Sequence, residues 1–448
     1  MTDAELQHAI EIVKDRLFWV SLRSVPRNTN KAHFFCTDNE LVYWNFFLDF
    51  GPLNLGQLYR FCQRLNALLS DKRLANKRIY YYCSTHSHKR TNSAFLVTAY
   101  TLLFLGRSPE EAYRPFRGIY PPFPPFHDAS PCVCTYTLTV FDCLKAIDKA
   151  RANNFFNFEN FDIDEYEHFE KVENGDLNWI IQDRILQFAG PHDQRTTTMD
   201  GYVTLVPEDY IPYFKQKGVK LVIRLNKKYY DERRFTREGI NHRDMYYLDG
   251  SCPPDYILRN FLEECEKVHH TGAIAVHCKA GLGRAGTTVG CFIMKHYGFA
   301  ASELIAWSRI CRPGCIIGPQ QHFLKEMEQR MWKAGELYRK RRKEAQRSGS
   351  ASPYGSDGSS NGGALSNAMG GLTVQTPGNT TPTRNSLGAA GAAMVTGSPA
   401  SPKGKLSGDG RDHSQGDNLR GRAAQSPKQG GSGGAYGTRG AQRGLFGR

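Results

Sequence analysis

The chain has 448 residues, 40% of them hydrophobic and 12% aromatic, which is enough for two or three domains with sizeable cores. Its formal net charge is +14, and about half of that excess lies in residues 346–448, where 11 Lys/Arg face 4 Asp/Glu. This balance favours anionic partners without choosing among phosphoproteins, nucleic acid and membrane surfaces. Twelve scattered cysteines with no paired C-x2-C motif argue against a disulfide framework and a zinc site, and suggest a reducing compartment. The first sixteen residues mix charges and lack an apolar centre, so no signal peptide is expected. The longest apolar stretch, residues 94–106, is too short for a bilayer and reads as a core helix.

In chain order, residues 5–17 have the spacing of an amphipathic helix. Residues 32–35 and 42–45 read as short strands, and 55–70 as a helix. Residues 78–83 form an apolar strand pattern, followed by a basic polar turn and a helix over 91–105. The PPFPP run at 121–125 is a stiff connector, and 134–149 is a further helix candidate. Residues 153–176 are aromatic and acidic and bridge to a second unit. There, 219–225 reads as a strand, 255–269 and 301–309 as helices, and 320–343 as a closing helix. Residues 346–448 are rich in Gly, Ser, Ala and Pro with few large apolar side chains, so disorder is expected. This tail carries Ser/Thr-Pro pairs at Ser352, Thr376, Thr381, Ser398, Ser401 and Ser426. Its Arg-Gly steps at Arg420, Arg439 and Arg443 give it a nucleic-acid-contact reading.

The most chemically loaded stretch is IAVHCKAGLGRAG, from Ile274. The pattern predicts a buried strand at 274–276, a glycine-rich loop and a helix over 285–297. A tight loop entering a helix N-terminus gathers unpaired backbone N–H groups into an anion cradle. Cys278 stands at the start of the cradle and Arg284 six positions later. Amides around Cys278 favour the nucleophilic thiolate. The Arg284 fork suits two phosphate oxygens. Lys279, Ala280, Gly281, Leu282 and Gly283 form the phosphate-binding loop, the glycines allowing close backbone approach. The reaction implied is attack of Cys278 on a phosphate ester. His277 is expected to order the loop by hydrogen bonding.

A general acid must come from elsewhere. Asp249, in an Asp-Gly turn, can swing over the site. Asp255 competes but reads as a helix N-cap. Gln320 and Gln321, in a Gly-Pro-Gln-Gln turn, offer amides that orient water without titrating. The segment IYYYCSTHSHKRTNSAFLV repeats the strand-loop-arginine-helix order without loop glycines. Matching Arg90 to Arg284 places Ser84 under Cys278, and a one-residue gap places Cys83 there. Either way it reads as a copy of the fold without the chemistry.

Together with RLNKKYYDERRF, DGSCPPD, IMKHYG, RICRPGCIIGPQQHFL and FDIDEYEHFEKVENGDLNWI, the HCKAGLGR loop resembles the Cdc-fourteen (cell-division-cycle-fourteen) type of dual-specificity protein phosphatase. The likeness covers residues 1 to about 345. It implies an α/β fold with two tandem dual-specificity-phosphatase-like domains joined by a linker helix, plus a disordered tail. The divisions are 1–152 (non-catalytic), 153–176 (acidic linker), 177–345 (catalytic) and 346–448 (tail). It further implies Cys278 as nucleophile, Arg284 as phosphate binder and Asp249 as general acid, with no metal or other cofactor. The implied substrates are phosphoproteins made by proline-directed kinases, cyclin-dependent kinases in cell-cycle control among them. The preferred site is phosphoserine-proline with a downstream basic residue, read by an acidic groove of Glu167, Glu170 and Asp176. Phosphothreonine and phosphotyrosine are also in its range. One departure stands out: the family usually has a hydroxyl residue after the loop arginine, where this chain has Ala285. That hydroxyl ordinarily helps the cysteine sulfur leave from the phosphoenzyme.

Other readings are a phosphoinositide phosphatase, an RNA 5′-phosphatase and a slow or non-catalytic phospho-binding scaffold. Against the first, the loop has Leu282 where a second basic residue is usual. The expected location is nucleus and cytoplasm, with nucleolus, centrosome or basal body, and spindle as further sites. The basic run Arg339 to Lys343 reads either as an import signal or as a helix C-terminus. No membrane insertion is expected, and the sequence does not fix the oligomeric state.

Overall fold

The computed structural model describes residues 6–198 and 201–347. The tail, with its Ser/Thr-Pro and Arg-Gly sites, lies outside the described residues.

The first unit is a four-stranded sheet with helices packed on it. Its elements are β1 (Ile10–Val13), β2 (Leu17–Leu22), β3 (Ala32–Phe35), α1 (Leu55–Ser70), β4 (Arg78–Ser84), α2 (Ser87–Leu105), α3 (Pro109–Tyr113) and α4 (Val140–Ala152). The strand order is β1-β2-β4-β3, with β4 parallel to both neighbours and β1 antiparallel to β2. The bridge carries α5 (Ile163–Glu170). The second unit contains β5 (Leu177–Ile181), β6 (Ile185–Ala189), α6 (Pro207–Gln216), β7 (Val219–Arg224), α7 (Arg233–Thr236), β8 (Asn241–Asp244), α8 (Asp255–Val268), β9 (Ala273–Cys278), α9 (Gly283–Tyr297), α10 (Ala301–Cys311) and α11 (Pro319–Arg347). Its order is β5-β6-β9-β7-β8. Strand β9 is central and fully buried, as its unbroken apolar run requires. Among the described residues, no helix is long and apolar enough to cross a membrane.

Four local readings need correction. The helix expected over residues 5–17 is the β1–β2 hairpin. Asp15 turns it in the left-handed region (φ 55°), and the Leu17-Phe18-Trp19-Val20 run pairs with β4. Tertiary pairing overrides the helical spacing. Residues 42–45 form no strand. Asp49 takes the backbone N–H groups of Phe46 and Phe47 and the Tyr43 hydroxyl, so a local carboxylate replaces ladder partners. The helix expected over 134–149 begins only at Val140. A reciprocal cap between Thr139 and Asp142 sets its start. Asp255 is the first residue of α8 rather than its cap, and its carboxylate accepts from Arg330 at 2.8 Å.

The two sheets share one strand order and the same pairing directions: β1, β2, β4 and β3 correspond to β5, β6, β9 and β7. The registers decide the alignment. Ile79 pairs with Leu17 and donates to Arg16 O, as Ile274 pairs with Ile185 and donates to Arg184 O, both at 2.8 Å. Both hairpins turn on a left-handed aspartate, Asp15 and Asp183. Counting from Ile79 and Ile274, Cys83 takes the place of Cys278, so the first unit's loop to Arg90 is one residue longer.

The units are packed through apolar contacts. Helices α4 and α10 touch, and just beyond α4 the Phe155 ring lies against Phe299 (5.3 Å), Tyr297 (4.6 Å) and Trp307 (6.4 Å). Trp307 is buried with its indole N–H donating to Ile180 O at 2.8 Å. Burying such a ring contributes roughly 2–3 kcal/mol.

Candidate active site

The site sits where β9 ends and α9 begins, at the carboxyl edge of the second sheet. Each loop carbonyl from Cys278 to Leu282 is engaged. Cys278 O accepts from His277 Nδ1 at 2.9 Å, and Lys279 O from Gly190 N–H at 3.0 Å. Ala280 O and Gly281 O both accept from the buried Arg312, at 2.9 and 3.0 Å. Leu282 O accepts from Gly286 N–H at 3.1 Å. In a trans peptide the following N–H points opposite to the carbonyl. Anchored carbonyls therefore turn the amides of residues 279–283 towards one side, and the α9 N-terminus adds its dipole.

Two glycines make this geometry possible. Gly281 has φ +69°, and a Cβ there would lie 2.1 Å from Phe188 O. A Cβ on Gly190 would lie 2.4 Å from Cys278 O. Behind the strand, His277 is fully buried, and its Nε2 lies 2.7 Å from the Tyr230 hydroxyl. That hydroxyl is 2.9 Å from His242 Nε2. Burial pushes His242 down to about 4, so it is neutral at pH 7. With His277 Nδ1 donating to Cys278 O, a neutral His277 accepts at Nε2 from Tyr230, whose oxygen then accepts from His242 Nε2. His277 thus orders the loop, as its place in the sequence suggested.

Arg284 is buried. Its Nη1 donates to Tyr247 O at 3.0 Å, and its Nη2 lies 3.1 Å from Asp249 Oδ1. Tyr247 OH donates to Arg284 O at 3.0 Å, tying the segment before the acid loop to the start of α9. Arg284 Nε and Asp249 Oδ2 are buried and unpartnered. A guanidinium with an unused donor and a carboxyl beside it therefore meet at the loop that begins with Cys278. Gln320 packs against the loop: a Cβ on Gly283 would lie 2.9 Å from its Oε1. Its Nε2 donates to Ser251 O at 3.2 Å. Gln321 is held further back, accepting from Arg309 at 2.7 Å.

The three acidic bridge residues are not equivalent. Glu167 forms a two-pronged pair with Arg60 of α1. Asp176 pairs with Arg312 at 2.7 Å, on the loop clamp. Glu170 is half-buried, accepts from Asn54 at 2.8 Å and from Tyr166 OH at 3.3 Å, and is pushed up to about 7 by desolvation. Glu167 and Glu170 share a face of α5, whereas Asp176 turns toward the phosphate loop. The functional residue that sequence reasoning passed over is Arg312. It lies in the quoted RICRPG run, but only the fold shows its fork on the loop carbonyls.

In the first unit the matching place differs. Burial pushes the Cys83 thiol up to about 12, and Asp38 Oδ2 accepts the following amide, Ser84 N–H, at 2.8 Å. A carboxylate of the chain itself thus holds the amide equivalent to that of Lys279. His88 stacks on Phe50 at 3.9 Å, and Arg90 lies over Phe123 at 5.3 Å.

A family model described as "Dual specificity protein phosphatase, N-terminal half" matches residues 11–150. Another, described as "Polymorphic toxin system, DSP-PTPase phosphatase", matches residues 199–298. The chain is 52% identical over 340 residues to dual specificity protein phosphatase CDC14A of Mus musculus, covering 76% of this chain and 56% of that one. It is 48% identical over 331 residues to CDC14C of Homo sapiens, covering 74% of this chain and 73% of that one. The chain belongs to the CDC14 dual-specificity phosphatase family. It spans little more than half the length of the CDC14A relatives. A solved structure, Tk-PTP in the active form, matches 33% of the chain with a TM-score of 0.28 and 22% identity, covering 92% of that chain. The tandem α/β architecture expected of the CDC14 family agrees with the two corresponding sheets.

Proposed function

We propose that this chain hydrolyses phosphate monoesters on proteins through a phosphocysteine intermediate. Cys278 attacks phosphorus while Arg284 and the amides of residues 279–283 bind the equatorial oxygens. Asp249 protonates the leaving oxygen, and water then hydrolyses the S–P bond near the Gln320 and Gln321 amides. The observation that carries the reading is the Asp249 carboxyl 3.1 Å from Arg284, beside a loop whose carbonyls are all engaged by donors.

The finer reading is a preference for phosphoserine-proline with a downstream Lys or Arg, which would reverse proline-directed kinases in cell-cycle control. Phosphothreonine and phosphotyrosine sites are accepted as well. Glu170 supports it as the groove carboxyl without a cation within ion-pair distance; Glu167 and Asp176 each already hold an arginine. Phosphoserine-proline-x-lysine and phosphoserine-proline-x-alanine peptides, with a phosphoinositide alongside, test it. The lysine peptide turns over fastest, and Glu170→Gln removes that advantage. Equal loss on both peptides would reject the groove assignment, and faster phosphoinositide turnover would favour the lipid reading. Nuclear and cytoplasmic location belongs to the same proposal. The exposed Arg339, Lys340, Arg341 and Lys343 on α11 support it, and a fluorescent fusion with these neutralised checks it.

A further inference from the structure

A strap of the first unit, residues 127–136, lies against the turn that carries the two glutamines of the second. Asp128 on this strap is 1% exposed. Its Oδ2 accepts from the Gly318 backbone N–H at 2.7 Å, across the boundary between the units. Its Oδ1 accepts from the Ser130 hydroxyl at 3.2 Å. Thr135 Oγ1 lies 2.8 Å from His322 Nε2, and the Tyr136 ring meets the His322 ring edge-on at 5.7 Å. The strap therefore holds the turn just before the glutamines and just after them.

The turn's own bonds carry that hold inward. Ile317 N–H donates to Gln320 Oε1 at 3.2 Å, and Gln321 Nε2 donates to Gly318 O at 3.3 Å. Gln320 in turn packs on Gly283 of the phosphate loop. A buried carboxylate deprived of its donors is costly, so this arrangement resists displacement. His127, Asp128 and Cys134 also lie close enough for a shared metal ion. Their ligand atoms are already committed within the fold. His127 Nδ1 donates to Asp128 O at 2.6 Å, its Nε2 accepts from Cys134 N–H at 3.2 Å, and Cys134 Sγ donates to Tyr136 O at 3.2 Å.

We infer that Asp128 is a positioning residue for hydrolysis of the phosphocysteine. The first unit then takes part in the reaction by fixing the Gly318 peptide and, through it, the glutamine amides. This inference rests on the phosphocysteine reading above. Rapid-quench kinetics on the full chain with a phosphoserine-proline-x-lysine peptide test it. Asp128→Ala keeps the rate and amplitude of Cys278 phosphorylation and lowers steady-state turnover about tenfold. Asp128→Asn, whose amide oxygen still accepts from Gly318, recovers most of the loss. Asp128→Ala combined with Gln320→Ala is no slower than Gln320→Ala alone. Equal losses in burst and steady state, unchanged turnover, or additive losses overturn the inference. Should Asp128→Ala not fold, Thr135→Val decides: a roughly two- to threefold loss confined to the second step supports it, and no loss overturns it. Failure of the underlying reading shows separately, as no phosphate on Cys278 of the unsubstituted chain.

Discussion

Ala285 is fully buried at the first turn of α9, and its neighbours are occupied. Thr287 donates to Gly283 O at 2.8 Å and Thr288 to Arg284 O at 3.1 Å, so both hydroxyls are bound to backbone. A hydroxyl donor to the leaving sulfur contributes about 1–2 kcal/mol, so Ala285→Thr is expected to speed steady-state turnover about tenfold and shrink the burst. Stopped-flow traces of both forms check this, and unchanged rates would show that the missing hydroxyl does not limit turnover. At Gly281 the backbone excludes any side chain. Gly281→Ala is expected to destabilise the loop by ~3 kcal/mol and cut turnover at least ~100-fold, read by urea unfolding and peptide assays. Cys278 and Arg284 were legible in the sequence because their spacing, glycines and flanking strand all state one chemistry. Arg312 was not, since nothing in a single basic residue 28 positions after Arg284 indicates which carbonyls it clamps.

On the proposed reading, helix α5 joins substrate recognition to titration. Glu170 sits among Tyr166, Glu167, Asn54 and Arg312, with burial the largest influence on it. Its folded-state value of about 7 lies above the ordinary 4.5, so the folded chain holds the extra proton between these values. The associated stability is fully present below about pH 4.5 and is lost as pH rises through 7, by roughly 3 kcal/mol. Glu170→Gln is expected to abolish that slope, measured by denaturant unfolding at pH 5 and pH 8. Selectivity for a downstream lysine rises over the same window as the carboxylate ionises. Elements are legible in the sequence where apolar spacing is long, as in α1, and obscure where they are short. The β1–β2 hairpin and the Asp49 loop are fixed by partners distant or irregular in sequence, which periodicity does not register.

At the scale of the whole molecule, two copies of one sheet order divide the labour. One keeps an amide cradle that begins at Cys278; the other ties the matching amide to Asp38 and packs on the first through α4 and the 127–136 strap. The repeat was visible in sequence, but the choice between Ser84 and Cys83 needed strand register, because a one-residue loop insertion is silent in an arginine-anchored alignment. The strap has no signature in the sequence pattern, because its residues touch the second unit nearly 190 positions away. On the proposed reading, catalysis is covalent, through Cys278. Rapid quench of the full chain with a phosphorus-labelled phosphoserine-proline-x-lysine peptide tests it most directly. Close to one acid-trapped phosphate per chain is expected on Cys278 within the first turnover, and none in Cys278→Ser. Turnover that persists in Cys278→Ser, or that proceeds with no phosphate on the thiol of Cys278 in the Ala285 form, would contradict it.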